Sequence, residues 1–166
     1  MKRLKAWLLI FLLVIFPPFL GMTSDKIEVE RSFKAELSGE EEVPPVKTKA
    51  RGEATFKLNK GGDELTYLVT LKNIEDVTAA HIHQGQKGKN GPPVAPLFDE
   101  PKKPAIAGTL YSEGTIRAYE LIGPLKGRSL QSLVQMIEAG DTYVNVHTIK
   151  HPEGELRGQI RLNDER

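Results

Sequence analysis

Alternating apolar and polar residues dominate this chain and predict a mainly β protein. The clearest alternating runs are 33–37, 54–58 and 65–71. Because successive side chains of a strand point to opposite faces, each run supplies one apolar face. The last two runs are separated by Gly61-Gly62-Asp63. Strands at 52–60 and 64–72 are therefore predicted to form a hairpin across this turn.

The second half of the chain adds more strands and one helix. Further strand candidates are 77–83, 142–148 and 155–162, and the stretch 106–121 is predicted to contain one or two strands with a bend near Gly114. Helical spacing is found for Leu130, Leu133, Val134 and Ile137, which follow Ser129 as a candidate cap and precede Gly140 as a candidate stop. About eight short strands with one short helix predict an antiparallel β-sandwich or a Greek-key barrel.

The amino-terminal segment, residues 1–24, differs from the rest of the chain. Lys2, Arg3 and Lys5 precede an uncharged apolar run that ends at Leu20. That run is shorter than the roughly 20 residues that a membrane-spanning helix needs. This pattern is typical of a signal peptide, with an uncleaved anchor as the alternative. We therefore expect an exported protein with one domain at residues 25–166 and no membrane span after signal removal.

Charge and cysteine content exclude several classes of function. The formal net charge is +1, and loss of the basic segment 1–24 makes the remainder mildly acidic. A mildly acidic, mixed surface gives no electrostatic footprint for nucleic acid. The chain has no cysteine, which excludes disulfides, thiolate metal sites and a cysteine nucleophile. Any metal ion must therefore be bound by nitrogen and oxygen ligands.

The histidines form a candidate metal site. His81 and His83 are two residues apart on a predicted strand, so their side chains share one face. His147 shares a face with Tyr143 and Asn145 on a later strand, and if the two strands are neighbours the three imidazoles can meet. His151 or Glu155 is then a candidate fourth donor. Such a site suits copper or zinc. The alternative is a hydrogen-bonded structural cluster without a metal.

Three segments together resemble the chordin-type (CHRD) domain family. They are Ala35 to Gly39 with Glu42 to Val46, Ala79 to His83 with the Gly-rich stretch to Val94, and Gly140 to Thr148 with Gly154 to Gln159. The resemblance covers about residues 33–162 and implies an immunoglobulin-like β-sandwich of the cell envelope or extracellular space. One departure is Pro152-Glu153-Gly154, where the family usually has Pro-Gly-Gly. His151 does not match a motif position.

The function stays open between different classes. The first hypothesis is a secreted or cell-envelope binding or structural module that binds copper or zinc through His81, His83 and His147. Its partner would be an unidentified protein or another component of the envelope. The second is a copper-dependent redox enzyme, because the histidine strands are also similar to those of copper–zinc superoxide dismutases. The third is an adhesion module that uses a sheet edge or the Gly-rich loop. No catalytic residue can be assigned from the sequence.

Overall fold

The computed structural model describes residues 31–99 and 108–163, which form nine strands and one α-helix. The elements are β1 Ser32–Ser38, β2 Arg51–Leu58, β3 Leu65–Lys72, β4 Val77–Gln84, β5 Pro93–Phe98, β6 Thr109–Ile116, α1 Leu130–Glu138, β7 Thr142–Thr148, β8 Leu156–Gln159 and β9 Arg161–Leu162. Three short 3-10 turns complete them, at Gly39–Glu41, Ala118–Glu120 and Gly123–Leu125. The expected signal peptide at 1–24 lies outside the described residues. Within the described part, no helix has the length and apolar character needed to cross a membrane.

The strands form one antiparallel sheet that is nearly closed into a barrel. Their order is β5-β4-β7-β8-β1-β2-β3-β6, with β9 paired to β1. The two end strands, β5 and β6, lie against each other. The hydroxyl of Tyr67 in β3 also reaches across the gap to donate to the carbonyl of Leu97 in β5. The sheet thus curls around a single interior.

The predicted fold class is confirmed in its broad form. The protein is mainly β and antiparallel, and the predicted hairpin is present as β2 and β3, with Leu58 opposite Leu65. The two separate sheets of an immunoglobulin-like sandwich are not confirmed. Strand β1 pairs with β2 on one side and with β8 and β9 on the other, so hydrogen bonding runs through it from one half of the protein to the other.

The apolar side chains of the alternating runs meet the helix in one core. The helical positions that the spacing predicts to be apolar are all buried: Leu130, Leu133, Val134 and Ile137. Burial of four such side chains stabilises the fold, by roughly 1.5–3 kcal/mol each when fully buried. The helix is therefore held against the sheet by hydrophobic packing in the shared core.

Both predicted ends of α1 are at the expected residues, with one difference. Gly140 has a φ of 74°, its N–H donates to the carbonyl of Ile137, and the next N–H, of Asp141, donates to Met136. These two bonds form a Schellman motif, in which glycine adopts the left-handed conformation most easily. Ser129 occupies the N-cap position, but its hydroxyl lies against that of Ser132 and makes no capping bond to the backbone.

Strand β5 is the element that the sequence pattern did not reveal. It contains Pro93 and Pro96, and proline lowers the strand propensity of a segment because it donates no backbone hydrogen bond. An end strand tolerates proline, because one of its sides needs no partner strand. β5 is such a strand and pairs with β4 alone. This pairing matters for the histidines of β4.

Candidate metal centre

Three histidines lie on the outer face of the neighbouring strands β4 and β7. In the register of this antiparallel pair, His81 is opposite Asn145 and His83 is opposite Tyr143, while His147 is opposite Ala79. Opposite residues share a face of the sheet. The residues that alternate with the histidines, such as Ile82 and Val146, are fully buried in the core. The strand parity expected from the sequence is therefore observed.

The three imidazoles converge closely enough to hold one metal ion. One ring nitrogen from each of His81, His83 and His147 lies within 4.8 Å of the corresponding nitrogens of the other two. The ring centroids are 5.5 to 5.9 Å apart. Zinc–nitrogen bonds are about 2.0–2.1 Å long, so nitrogens that share an ion lie within about 4 Å of one another. The ring nitrogens would therefore move closer together when they bind an ion.

Two of the imidazoles are held in the tautomer that leaves Nε2 available. His83 Nδ1 lies 2.8 Å from the carbonyl oxygen of Gly91, and His147 Nδ1 lies 2.9 Å from that of Pro152. A carbonyl oxygen only accepts hydrogen bonds, so the Nδ1 atoms carry the protons and the Nε2 atoms keep their lone pairs. Hydrogen bonds of this kind orient histidine ligands around metals.

The free Nε2 of His83 is difficult to explain if the histidines form only a hydrogen-bonded structural cluster. This atom is buried and has no hydrogen-bond partner among the described residues. Leaving a buried acceptor unsatisfied costs about 1–3 kcal/mol. A bound cation would take up this lone pair. The donor set at this position therefore fits a metal ion.

His81 is oriented by a carboxylate that the sequence did not reveal. Its Nε2 lies 2.6 Å from Oδ1 of Asp99, whose side chain is 61 % exposed at the edge of the cluster. Asp99 follows β5 directly, and β5 pairs with β4 so that Phe98 is opposite Ala80. The aspartate therefore reaches His81 only through this pairing. A carboxylate–histidine pair leaves Nδ1 of the imidazole free for a metal.

The two residues expected to supply a fourth donor have other roles. The carboxylate of Glu155 accepts hydrogen bonds from the hydroxyls of Thr48 and Thr148. His151 does not belong to the cluster formed by the described residues. Its backbone N–H donates to the Thr148 hydroxyl and so holds the turn after β7. Glu155 and His151 thus stabilise the surroundings, and Asp99 is the carboxylate that contacts a histidine of the cluster, His81.

The environment keeps two of the three histidines, His83 and His147, in the neutral form that binds metals. Burial lowers the pKa of His83 from 6.5 to about 4, against the opposing effect of its hydrogen bond to Gly91. Burial also lowers the pKa of His147, although its bond to Pro152 acts in the other direction. Metal ions bind neutral imidazole. At neutral pH these two rings therefore carry lone pairs and no charge.

A stack of side chains lies behind His83. Its ring stacks on that of Tyr143, with centroids 5.2 Å apart and an interplanar angle of 24°. The guanidinium carbon of Arg157 lies 3.6 Å from the centroid of the same tyrosine ring. Both Tyr143 and Arg157 are buried. The sequence pattern assigned no role to either residue beyond its place in a family motif.

Comparison with known families agrees with this architecture. A family model for the CHRD domain matches residues 33–160, from the first strand to the end of β8. The chain belongs to the CHRD family. No curated protein matches the sequence. The match includes His81, His83, His147 and Asp99, so the whole cluster lies inside the CHRD domain.

Proposed function

We propose that this CHRD domain is a binding module that holds one copper or zinc ion through His81, His83 and His147. The observation that carries the proposal is the buried, unpaired Nε2 of His83 beside a ring nitrogen of each of the other two histidines. A structural cluster would be expected to satisfy this atom with a donor of its own.

The donor chemistry supports copper or zinc over harder cations. Three imidazole nitrogens with a nearby carboxylate oxygen suit Zn(II) and Cu(II), whereas Mg(II) and Ca(II) prefer oxygen ligands. Asp99 can act in two ways, as an oxygen ligand or as the group that orients His81. The fold fixes the positions of the half-buried imidazoles through hydrogen bonds to His83 and His147 and through the contact of Asp99 with His81. No described residue favours redox catalysis over binding, so the proposal is limited to binding.

We infer export from residues 1–24, whose basic start and apolar run are typical of a signal peptide. The module would then act in the cell envelope or outside the cell, where it would meet its partner. Intact mass of the protein recovered outside the cytoplasm tests this inference. Cleavage between about residues 21 and 25 is the expected result, and recovery of the full-length chain only in membranes would contradict it.

Thermal unfolding with added metal tests the binding site. The parent should melt at a higher temperature with Cu(II) or Zn(II), because a ligand that binds only the folded state stabilises it by about 2.7 kcal/mol at 100 times its dissociation constant. His83→Ala should lose this shift. His151→Ala is the matched control, since it removes the one histidine outside the cluster and should keep the shift. An equal shift in parent and His83→Ala, or no shift in the parent, would overturn the proposal.

A further inference from the structure

Arg157 contacts the loop 85–91, which orients His83. The guanidinium of Arg157 also stacks on the ring of Tyr143, which in turn stacks on His83. We propose that Arg157 is a positioning residue that fixes His83 for metal binding by holding the segment 85–91, here called the glycine loop. This inference rests on the proposed function, because it concerns the same histidine cluster. It assigns a role to a charged side chain that is not among the candidate metal ligands.

The first step is the burial of the arginine. Arg157 is only 1 % exposed. Its guanidinium donates to Oδ1 of Asn90 at 2.8 Å, to the carbonyl of Lys89 at 2.8 Å and to the carbonyl of Gln86 at 3.1 Å. All three acceptors belong to the glycine loop. A buried charge that loses its partners is strongly unfavourable, so the loop cannot leave without a large cost in free energy.

The second step leads from the loop to the imidazole. The last residue of the glycine loop is Gly91, whose carbonyl oxygen accepts the proton of His83 Nδ1. The hydroxyl of Tyr143 contacts the N–H of Gly91 at 3.2 Å and its carbonyl oxygen at 3.4 Å. Tyr143 is also the ring that lies between Arg157 and His83. Arg157 therefore holds both the loop and the aromatic surface that fix the ring of His83.

The third step is the consequence for His83. With the Gly91 carbonyl in place, Nδ1 is protonated and Nε2 points its lone pair at the cluster. If the loop moves away, nothing described holds the proton on Nδ1, and both neutral tautomers become populated. Only one of them can donate Nε2 to a metal. Arginine suits this role because its planar guanidinium holds several N–H donors in a rigid fork, whereas the three donors of lysine leave from one freely rotating ammonium group.

The tautomer of His83 tests the inference without any metal. Nitrogen-15 NMR of the metal-free protein should show one tautomer for His83, protonated on Nδ1, in the parent. In Arg157→Lys the two tautomers should be mixed. Copper affinity measured by competition with a chelator should fall about 10- to 100-fold, which is the usual effect of losing an outer-shell partner. Val134→Ala, in the helix, controls for a general loss of stability and should change neither quantity.

A pair of variants on the loop keeps the test decisive if Arg157→Lys does not fold. Asn90 is exposed, and its Oδ1 accepts from Arg157 while its Nδ2 donates to the carbonyl of Val43. Asn90→Asp keeps the acceptor and should preserve the His83 tautomer, whereas Asn90→Ala removes it and should mix the tautomers. If Arg157→Lys folds, a single His83 tautomer in both Arg157→Lys and Asn90→Ala would overturn the role of Arg157. If Arg157→Lys does not fold, a single His83 tautomer in Asn90→Ala would overturn it. A parent that binds neither copper nor zinc would refute the proposed function, and the tautomer comparison would still decide this inference.

Discussion

Acid should destabilise the metal-free protein through His83. The pKa of this histidine is 6.5 in its ordinary state and about 4 in the folded protein, where burial disfavours the charged form. Between these values the unfolded chain binds a proton that the folded protein excludes. The resulting stability is fully present above about pH 6.5 and is lost as the pH falls towards 4.

The size of this effect follows from the shift. One pKa unit corresponds to 1.36 kcal/mol, so the full shift of His83 corresponds to about 3 kcal/mol. The ring is half-buried, and solvent screening reduces that figure. We expect His83 to contribute a loss of about 1 kcal/mol between pH 7.5 and pH 5, or about 4 °C in melting temperature.

Other groups respond to pH, so the measurement needs a variant. Burial lowers the pKa of His147, which adds to the acid destabilisation. Burial raises the pKa of Glu42, which acts in the opposite direction because the folded carboxyl group gains a proton more easily. Urea unfolding of parent and His83→Gln, both with a chelator at pH 7.5 and pH 5, isolates His83. The variant should lose about 1 kcal/mol less than the parent, and identical losses would refute the reasoning.

Three further variants test the packing of the core and the surroundings of the histidine cluster. Val134→Asp places an unpaired charge in the core and should lower the free energy of unfolding by several kcal/mol. A melting temperature within about a degree of that of the parent would contradict the packing of the helix against the core. Gly91→Ala would place a Cβ in collision with the carbonyl oxygen of Gln84, so the glycine loop must shift. The metal-induced rise in melting temperature should then shrink, and an unchanged rise would contradict the role of the glycine loop in metal binding. Asn145→Ala removes the hydrogen bond from Nδ2 to the buried carboxylate of Glu42 and should cost about 1–3 kcal/mol in urea unfolding, whereas a loss below about 0.5 kcal/mol would show that this bond is dispensable.

The sequence predicts the face of each histidine, and the structure adds the partners that only tertiary pairing can bring. The two-residue period of β4 and β7 is a local property, so the shared face of His81 and His83 could be read from spacing alone. Asp99 could not be found this way, because its approach to His81 depends on β5, a strand hidden by its two prolines.

Arg157 was missed for a different reason. Charged side chains are usually exposed, and the burial of Arg157 is possible only because a loop distant in sequence supplies three acceptors. The prediction of a β-sandwich also required more information than the alternation of apolar and polar residues can supply. Alternation gives the number and faces of strands, whereas the order of strands in the sheet depends on long-range pairing such as that of β1 with β8.

X-ray absorption spectroscopy of the protein loaded with one equivalent of Zn(II) identifies the ligands of the bound ion. The first coordination shell should contain three imidazole nitrogens at about 2.0 Å from the zinc. His147→Phe should lose one of them, and His151→Ala should leave the shell unchanged. A shell made only of oxygen ligands, or one that His147→Phe does not alter, would contradict metal binding by His81, His83 and His147.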